Sequence, residues 1–159
     1  MTKPQTNAIR IQSERSKNHE HAVPIYLTSS YVFEDAEDMR SKFAEEKEGH
    51  MYSRYSNPNV QELIQKMTVL ENAESGWATA TGTSAVFTLF GSVLSAGDHI
   101  LSCRSVFGST HRLVMEILPK WNINCTYFDI DDAQGVEDLI QENTKIVYIE
   151  TPSNPGLDL

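Results

Sequence analysis

Basic residues are scarce in this chain. Thirteen Lys and Arg against 22 Asp and Glu leave a formal net charge of −9. A protein that grips nucleic acid needs a cationic face to displace counterions from phosphates, so this balance argues against a nucleic-acid binder, though not against one local basic pocket for a single phosphate. Cysteine is scarce as well. Cys103 and Cys125 lie outside any C-x-x-C pattern, which leaves no disulfide framework and no thiolate zinc site; they read as small buried residues of a reducing compartment. No apolar run approaches the length that spans a bilayer. The first thirty residues are polar, mixed in charge and without a signal-peptide core, so a cytoplasmic location is expected and no membrane partner.

Several motifs are missing too. There is no Gly-x-x-x-x-Gly-Lys-Ser/Thr, no Gly-x-Gly-x-x-Gly and no Gly-x-Ser-x-Gly, which argues against a nucleoside-triphosphate loop, lowers a dinucleotide reading and removes the serine-hydrolase elbow. Of the histidines at 19, 21, 50, 99 and 111, only His19 and His21 are close in sequence. They read as surface or internally satisfied residues, and no metal site is expected.

What is present is a change of texture. Residues 1–56 carry many charges and short apolar groups, and read as an N-terminal arm: a short helix over Thr6–Arg15, an extended stretch over Ala22–Phe33, and a helix over Glu34–Lys47 that Asp35 caps and Gly49 stops. Residues 57–159 read as a second region. Asn57 and Pro58 open a helix whose Val60, Leu63, Ile64, Met67 and Leu70 recur at helical spacing. Trp77–Ala80 is expected as a strand, and Gly82 to about Ala96 as a helix with Ala85, Val86, Leu89, Phe90, Val93 and Leu94 on its apolar face and Gly97 as its stop. A strand over His99–Cys103, a helix over Gly108–Leu118 ended by Pro119, a strand over Ile123–Phe128, a weak helix over Ala133–Gln141 and a buried strand over Lys145–Glu150 complete it. Alternating strands and helices predict an α/β fold, a mostly parallel sheet with helices on both faces.

Ligands of such sheets bind at the carboxyl ends of the strands, which directs attention to three loops. In Thr81-Gly82-Thr83-Ser84-Ala85, Gly82 admits a ligand close to the backbone, and the free N–H groups of a first helical turn suit an anion; the same residues also serve as an ordinary helix cap. In Ser105-Val106-Phe107-Gly108, Phe107 has the position to cover a flat ring, and equally to fill a core. In Glu150-Thr151-Pro152-Ser153-Asn154-Pro155, two prolines frame Asn154, as they would in a plain turn. Ahead of the helix at Pro58, Tyr52 and Arg54 sit two residues apart, on one side of an extended strand, with a guanidinium suited to phosphate; a polar loop fits the same letters.

Taken in order, YSRYSNPN, ATATGTSAV, CRSVFGST and IETPSNPG resemble the pyridoxal-phosphate enzymes of cysteine and methionine metabolism, among them cystathionine γ-synthase, cystathionine lyases, methionine γ-lyase and the homoserine-ester sulfhydrylases. AVPIYLTSSYVFEDAEDM most resembles the sulfhydrylase branch. The resemblance runs from about Ala22 to Leu159. It implies the first part of an aspartate-aminotransferase-like, fold-type I domain, with pyridoxal 5′-phosphate as cofactor, a small amino acid as substrate, and a homodimer or homotetramer. Gly82 and Thr83 would offer N–H groups to the cofactor phosphate, Tyr52 and Arg54 would reach the phosphate of a neighbouring subunit, Phe107 would stack on the ring where many relatives have tyrosine, and Asn154 would bond the ring 3-hydroxyl. Two departures stand out: Phe107 has no hydroxyl, and Thr83 replaces a common methionine. The family's Schiff-base lysine, its ring-nitrogen aspartate and its carboxylate-binding arginine are expected beyond Leu159. No residue here is therefore assigned a catalytic role, and the chain reads as an amino-terminal fragment.

Overall fold

The computed structural model describes residues 3–11, 15–131 and 135–159, and the chain divides into two compact units, residues 1–78 and 79–159.

In the first unit, α1 (Pro4–Arg10) lies against α3 (Pro58–Leu70). The expected Thr6–Arg15 helix thus starts two residues earlier and has ended by Ile11, whose N–H still closes on the Asn7 carbonyl; positions 12–14 of that expectation lie outside the described residues. Helix α2 (Ala36–Phe43) begins as its cap dictates: Asp35 accepts from the Asp38 N–H. It stops well short of Lys47, because the chain passes Ala44 into a left-handed residue at Glu45 (φ 59°) before Gly49 is reached.

Asn57 does more than cap α3. Its side-chain oxygen accepts from the Asn59 N–H, while its amide donates to the Tyr26 carbonyl at 3.1 Å and to Ser53 Oγ at 3.1 Å. Asn59 in turn accepts from the Tyr26 N–H and donates to the Pro24 carbonyl, both at 2.8 Å. Two asparagines therefore stitch the extended 22–33 segment to the helix start. A single antiparallel bridge, Ser30 to Tyr52, extends the seam.

The second unit holds three parallel strands in the order β2-β1-β3: β1 His99–Cys103, β2 Asn124–Phe128 and β3 Thr144–Tyr148. All five residues of β1 are buried, as a central strand requires. Alternation sends Ile100 to one face, where it packs with Phe90 and Leu94 of α4 (Gly82–Val93) and with Leu113, Val114 and Leu118. Leu101 and Cys103 face the other way, against Phe128, Ile130, Val136 and Leu139. The β1–β2 connection helps cover the first face and the β2–β3 connection the second. Two crossovers that travel in opposite directions along a sheet must use opposite faces to share one hand. The expected layering of helices on both faces is present, although the second face carries only a short 3-10 turn, Glu137–Leu139, where a longer helix was expected.

Four further expectations are corrected. Trp77–Ala80 forms no strand, since no neighbouring segment among the described residues completes a hydrogen-bond ladder with it, and Trp77 is 74 % exposed. Helix α4 ends at Val93, not near Ala96; Leu94 is already extended, and Gly97 (φ 97°) shapes the turn into β1 instead of capping the helix. On α4, Phe90 and Leu94 are buried but Leu89 and Val93 stay about half exposed. Strand β3 is not buried throughout: Lys145 and Val147 are exposed while Ile146 and Tyr148 pack against the first core, the alternation of a strand covered on one face.

Pro119 does not stop its helix. Helix α5 (Gly108–Arg112) continues as a π-helical turn over Leu113–Ile117 and a 3-10 turn over Leu118–Trp121, then ends at Asn122 in the left-handed region (φ 60°). Proline has no N–H to give the carbonyl four residues back and its ring crowds it, so the spiral widens ahead of Pro119 and tightens after it.

Candidate cofactor site

The carboxyl ends of β1 and β3 lie side by side, with Ser102 opposite Tyr148. The loops carrying Phe107 and Asn154 leave from that edge, and one carboxylate joins them. Glu150 Oε2 accepts the Phe107 N–H at 2.7 Å, and Oε1 accepts the Thr110 hydroxyl at 2.9 Å and the Tyr148 hydroxyl at 3.0 Å. Phe107 occupies the N-cap of α5 and has no side-chain acceptor of its own. Glu150, two residues past β3, therefore takes the N–H of the N-cap residue itself and ties the helix start to the strand end. Burial, helped by the bond to Glu150, pushes the Tyr148 hydroxyl up to about 12. The Phe107 ring is half exposed, so it is not the core residue its apolarity allowed.

At the start of α4, Thr81 Oγ1 accepts the Ser84 N–H at 3.0 Å and lies 2.8 Å from Ser84 Oγ. Among the described residues nothing accepts from the N–H groups of Gly82 or Thr83. A Cβ built on Gly82 would meet no atom within 4 Å. The turn thus has open space beside free donors at the positive end of a twelve-residue helix. Asn154 is exposed, and its amide has no hydrogen-bond partner among the described residues. Its loop is closed on itself: the buried Ser153 donates to Asp158 Oδ2 at 2.6 Å and accepts from the Asp158 N–H at 2.9 Å. The structure thus brings the Phe107 turn and the strand leading to Asn154 together through Glu150, and seats the Gly82 turn on a helix that touches α5; it shows no direct contact among Gly82, Phe107 and Asn154.

In the first unit, Arg54 stands 5.0 Å from the Tyr52 ring centroid and 5.5 Å from that of Tyr55. The residues are not on one face of a strand, as alternation predicted. The chain turns here, with the Tyr55 and Ser56 N–H groups both reaching the Tyr52 carbonyl, and it is the turn that folds the guanidinium over the rings. Arg54 is exposed and pairs with no carboxylate among the described residues, so its charge is available to an anion.

Glu150 and Tyr148 are the residues that reading the sequence missed. The signal was a carboxylate at a strand's end together with a helix whose N-cap, Phe107, cannot cap itself. The thiols are not part of the picture: Cys103 is fully buried, and burial pushes Cys125 up to about 11, far from a reactive thiolate. Among the described residues no group of His, Cys, Asp and Glu is arranged to hold a metal, and no helix is long and apolar enough to cross a membrane.

Residues 5–159 match the family described as Cys/Met metabolism PLP-dependent enzyme. The chain belongs to that family. It is 41 % identical over 154 residues to O-succinylhomoserine sulfhydrylase of Pseudomonas aeruginosa, covering 97 % of this chain and 38 % of the relative. It is 36 % identical to L-methionine gamma-lyase of Treponema denticola, covering 95 % and 38 %. Among solved structures, the Campylobacter jejuni protein described as an O-acetylhomoserine (thiol)-lyase, which carries N′-pyridoxyl-lysine-5′-monophosphate, superimposes with a TM-score of 0.92 at 30 % identity, over 99 % of this chain and 39 % of that one. The chain thus spans under two-fifths of the length of these relatives. The family's fold is fold-type I, the parallel sheet described above belongs to it, and its cofactor is pyridoxal 5′-phosphate. Within the second unit the chemistry of the residues present fits that cofactor: N–H donors at Gly82 and Thr83 with open space at Gly82, a half-exposed aromatic ring at Phe107 and an exposed amide at Asn154.

Proposed function

We propose that the protein to which this chain belongs replaces the γ-substituent of an activated homoserine ester with a sulfur nucleophile, as an O-succinylhomoserine sulfhydrylase does, in methionine biosynthesis. The observation that carries this reading is the identity to sulfhydrylases across almost the whole of the chain, above that to the lyases of the family. When bound, pyridoxal phosphate supplies an electron-withdrawing ring that stabilises negative charge on the carbons of an amino acid.

The chain's own share is binding and orientation. The Gly82 and Thr83 N–H groups hold the phosphate at the head of α4, where the helix dipole adds to their bonds. Phe107 covers one face of the ring and keeps water from it. Lacking a hydroxyl, it moves no proton. Asn154 donates to the ring 3-hydroxyl and fixes its rotation. Arg54, backed by Tyr52, takes a second phosphate contact in the site of a neighbouring subunit, so the working unit is a homodimer or larger. Residues 57–159 form the first part of the cofactor domain and residues 1–56 its arm.

Full-length protein given O-succinylhomoserine and sulfide is expected to release homocysteine; its absence would overturn the sulfhydrylase reading. The identity to methionine gamma-lyases over nearly the same span favours a second reading, C–S bond elimination. Release of ammonia from methionine without any nucleophile added would select it.

A further inference from the structure

We infer that Glu150 is a positioning residue that acts through Phe107, setting the height and tilt of the aromatic face over the cofactor ring. The inference rests on the placement of Phe107 proposed above.

Three observations converge on it. Both oxygens of the Glu150 carboxylate are used, and on different elements: Oε2 on the Phe107 backbone, Oε1 on the Thr110 side chain one turn further along α5 and on Tyr148 at the end of β3. A carboxylate that takes a backbone N–H on one oxygen and a hydroxyl a turn later on the other fixes the direction from which the helix starts, not merely its existence. Phe107 has no cap of its own, and its extended backbone (φ −56°, ψ 143°) would be free to swing without this bond. Thr110 is buried, so the contact that ties the first turn to Glu150 is held in the interior while the ring itself remains half exposed. The arrangement anchors the base of a half-exposed ring.

An amide side chain retains most of this geometry. In Glu150→Gln the carbonyl oxygen takes the Phe107 N–H, and the NH2 group donates to the Thr110 and Tyr148 hydroxyls, which rotate to accept. Glu150→Ala removes every contact. The test uses full-length protein and two readouts, amide hydrogen exchange at Phe107 without cofactor and the dissociation constant for added pyridoxal 5′-phosphate. Glu150→Ala is expected to speed Phe107 exchange at least about tenfold, the loss of a hydrogen bond to a charged acceptor. It should also weaken cofactor binding about tenfold, the loss of an oriented aromatic contact. Glu150→Gln should restore both to within about threefold. Phe107→Ala should weaken the cofactor as much as Glu150→Ala does, and the double variant no more than either. Unchanged Phe107 exchange in Glu150→Ala, or a double variant weakened by the product of the two single effects, would overturn the inference. A Phe107→Ala protein that binds cofactor normally would instead overturn the placement of the ring on which the inference rests.

Discussion

The two units are held together by different physics. Every buried hydrophobic residue among those described, from Phe90 to Phe128, lies in residues 79–159. The buried residues of the first unit are Asp38, Asn57 and Glu62, all polar. Its apolar residues face outward; Leu27 is 95 % exposed, and along α3 Val60, Leu63, Met67 and Leu70 are each about half exposed. The second unit therefore draws its order from area removed from water, which is nondirectional and large. Within the chain itself, the first unit is ordered chiefly by hydrogen bonds and ion pairs with specific partners, which are individually small once exchange with water is counted. Asp38 shows the second kind. It accepts from Lys42 at 2.8 Å and Lys47 at 2.6 Å and from the Glu34 N–H, and these cations hold its carboxyl well below the usual range.

The largest test of this contrast is a pair of truncations. Phe90→Ala, at a fully buried residue that meets Tyr148 edge-on at 5.3 Å, is expected to cost about 3–5 kcal/mol. Leu63→Ala on α3 should cost under about 1 kcal/mol. Hydrogen exchange resolved along the chain separates the two units; equal losses would break the contrast. Next come the caps. Asn57→Ala removes a cap and two cross-links from a buried position and should cost about 2 kcal/mol, whereas Thr81→Ala, an exposed cap in the second unit, should cost about 1 kcal/mol. The reverse order would mean that polar stitching matters less in the first unit than its buried asparagines indicate.

A subtler difference is in pH. His99, buried in β1, lies 2.8 Å from Thr144 Oγ1 and 2.9 Å from Thr126 Oγ1, and burial lowers its pKa. The unfolded chain therefore binds this proton first as pH falls, and stability is lost from about pH 6.5 downward. Burial and Lys42 lower His50 in the first unit in the same sense, so the measurement belongs in a His50→Gln background. There, β1 should lose protection between pH 7 and 5. The α2 segment, whose Asp38 carboxyl contributes stability above about pH 4 and loses it only below, should hold. Simultaneous loss would show that His99 does not set the acid limit of the second unit.

The same division explains what could be read from the letters. In the second unit, periodicity located β1 to the residue, where burial is complete, and came within a few residues of β2 and α4, although only Phe90 and Leu94 of the expected α4 face are buried. In the first, the pattern of α3 placed the helix, but the caps Asn57 and Asp35 told more about its structure than Val60 or Leu63 did. Trp77–Ala80 had strand composition without a partner, and pairing is a property of two segments that one stretch of sequence does not contain. Of the residues expected to hold the cofactor, Phe107 and Asn154 do follow strands, whereas Gly82 opens α4 after a segment that pairs with no strand. Glu150 was not legible, since its role appears only when a carboxylate from one strand meets a helix start 43 residues away.

The strand order has one more consequence. From β1 the chain steps to one side to make β2, then doubles back across β1 to make β3 on the other. The carboxyl ends of β1 and β3 therefore come to lie side by side, although 40 residues separate the two strands, and the segments that follow them meet at Phe107 and Glu150. That meeting place comes with the winding of the chain and is independent of side-chain identity. Substitutions in the two segments can change what is presented there without disturbing the sheet, which gives a physical basis for relatives with different reactions to share this scaffold.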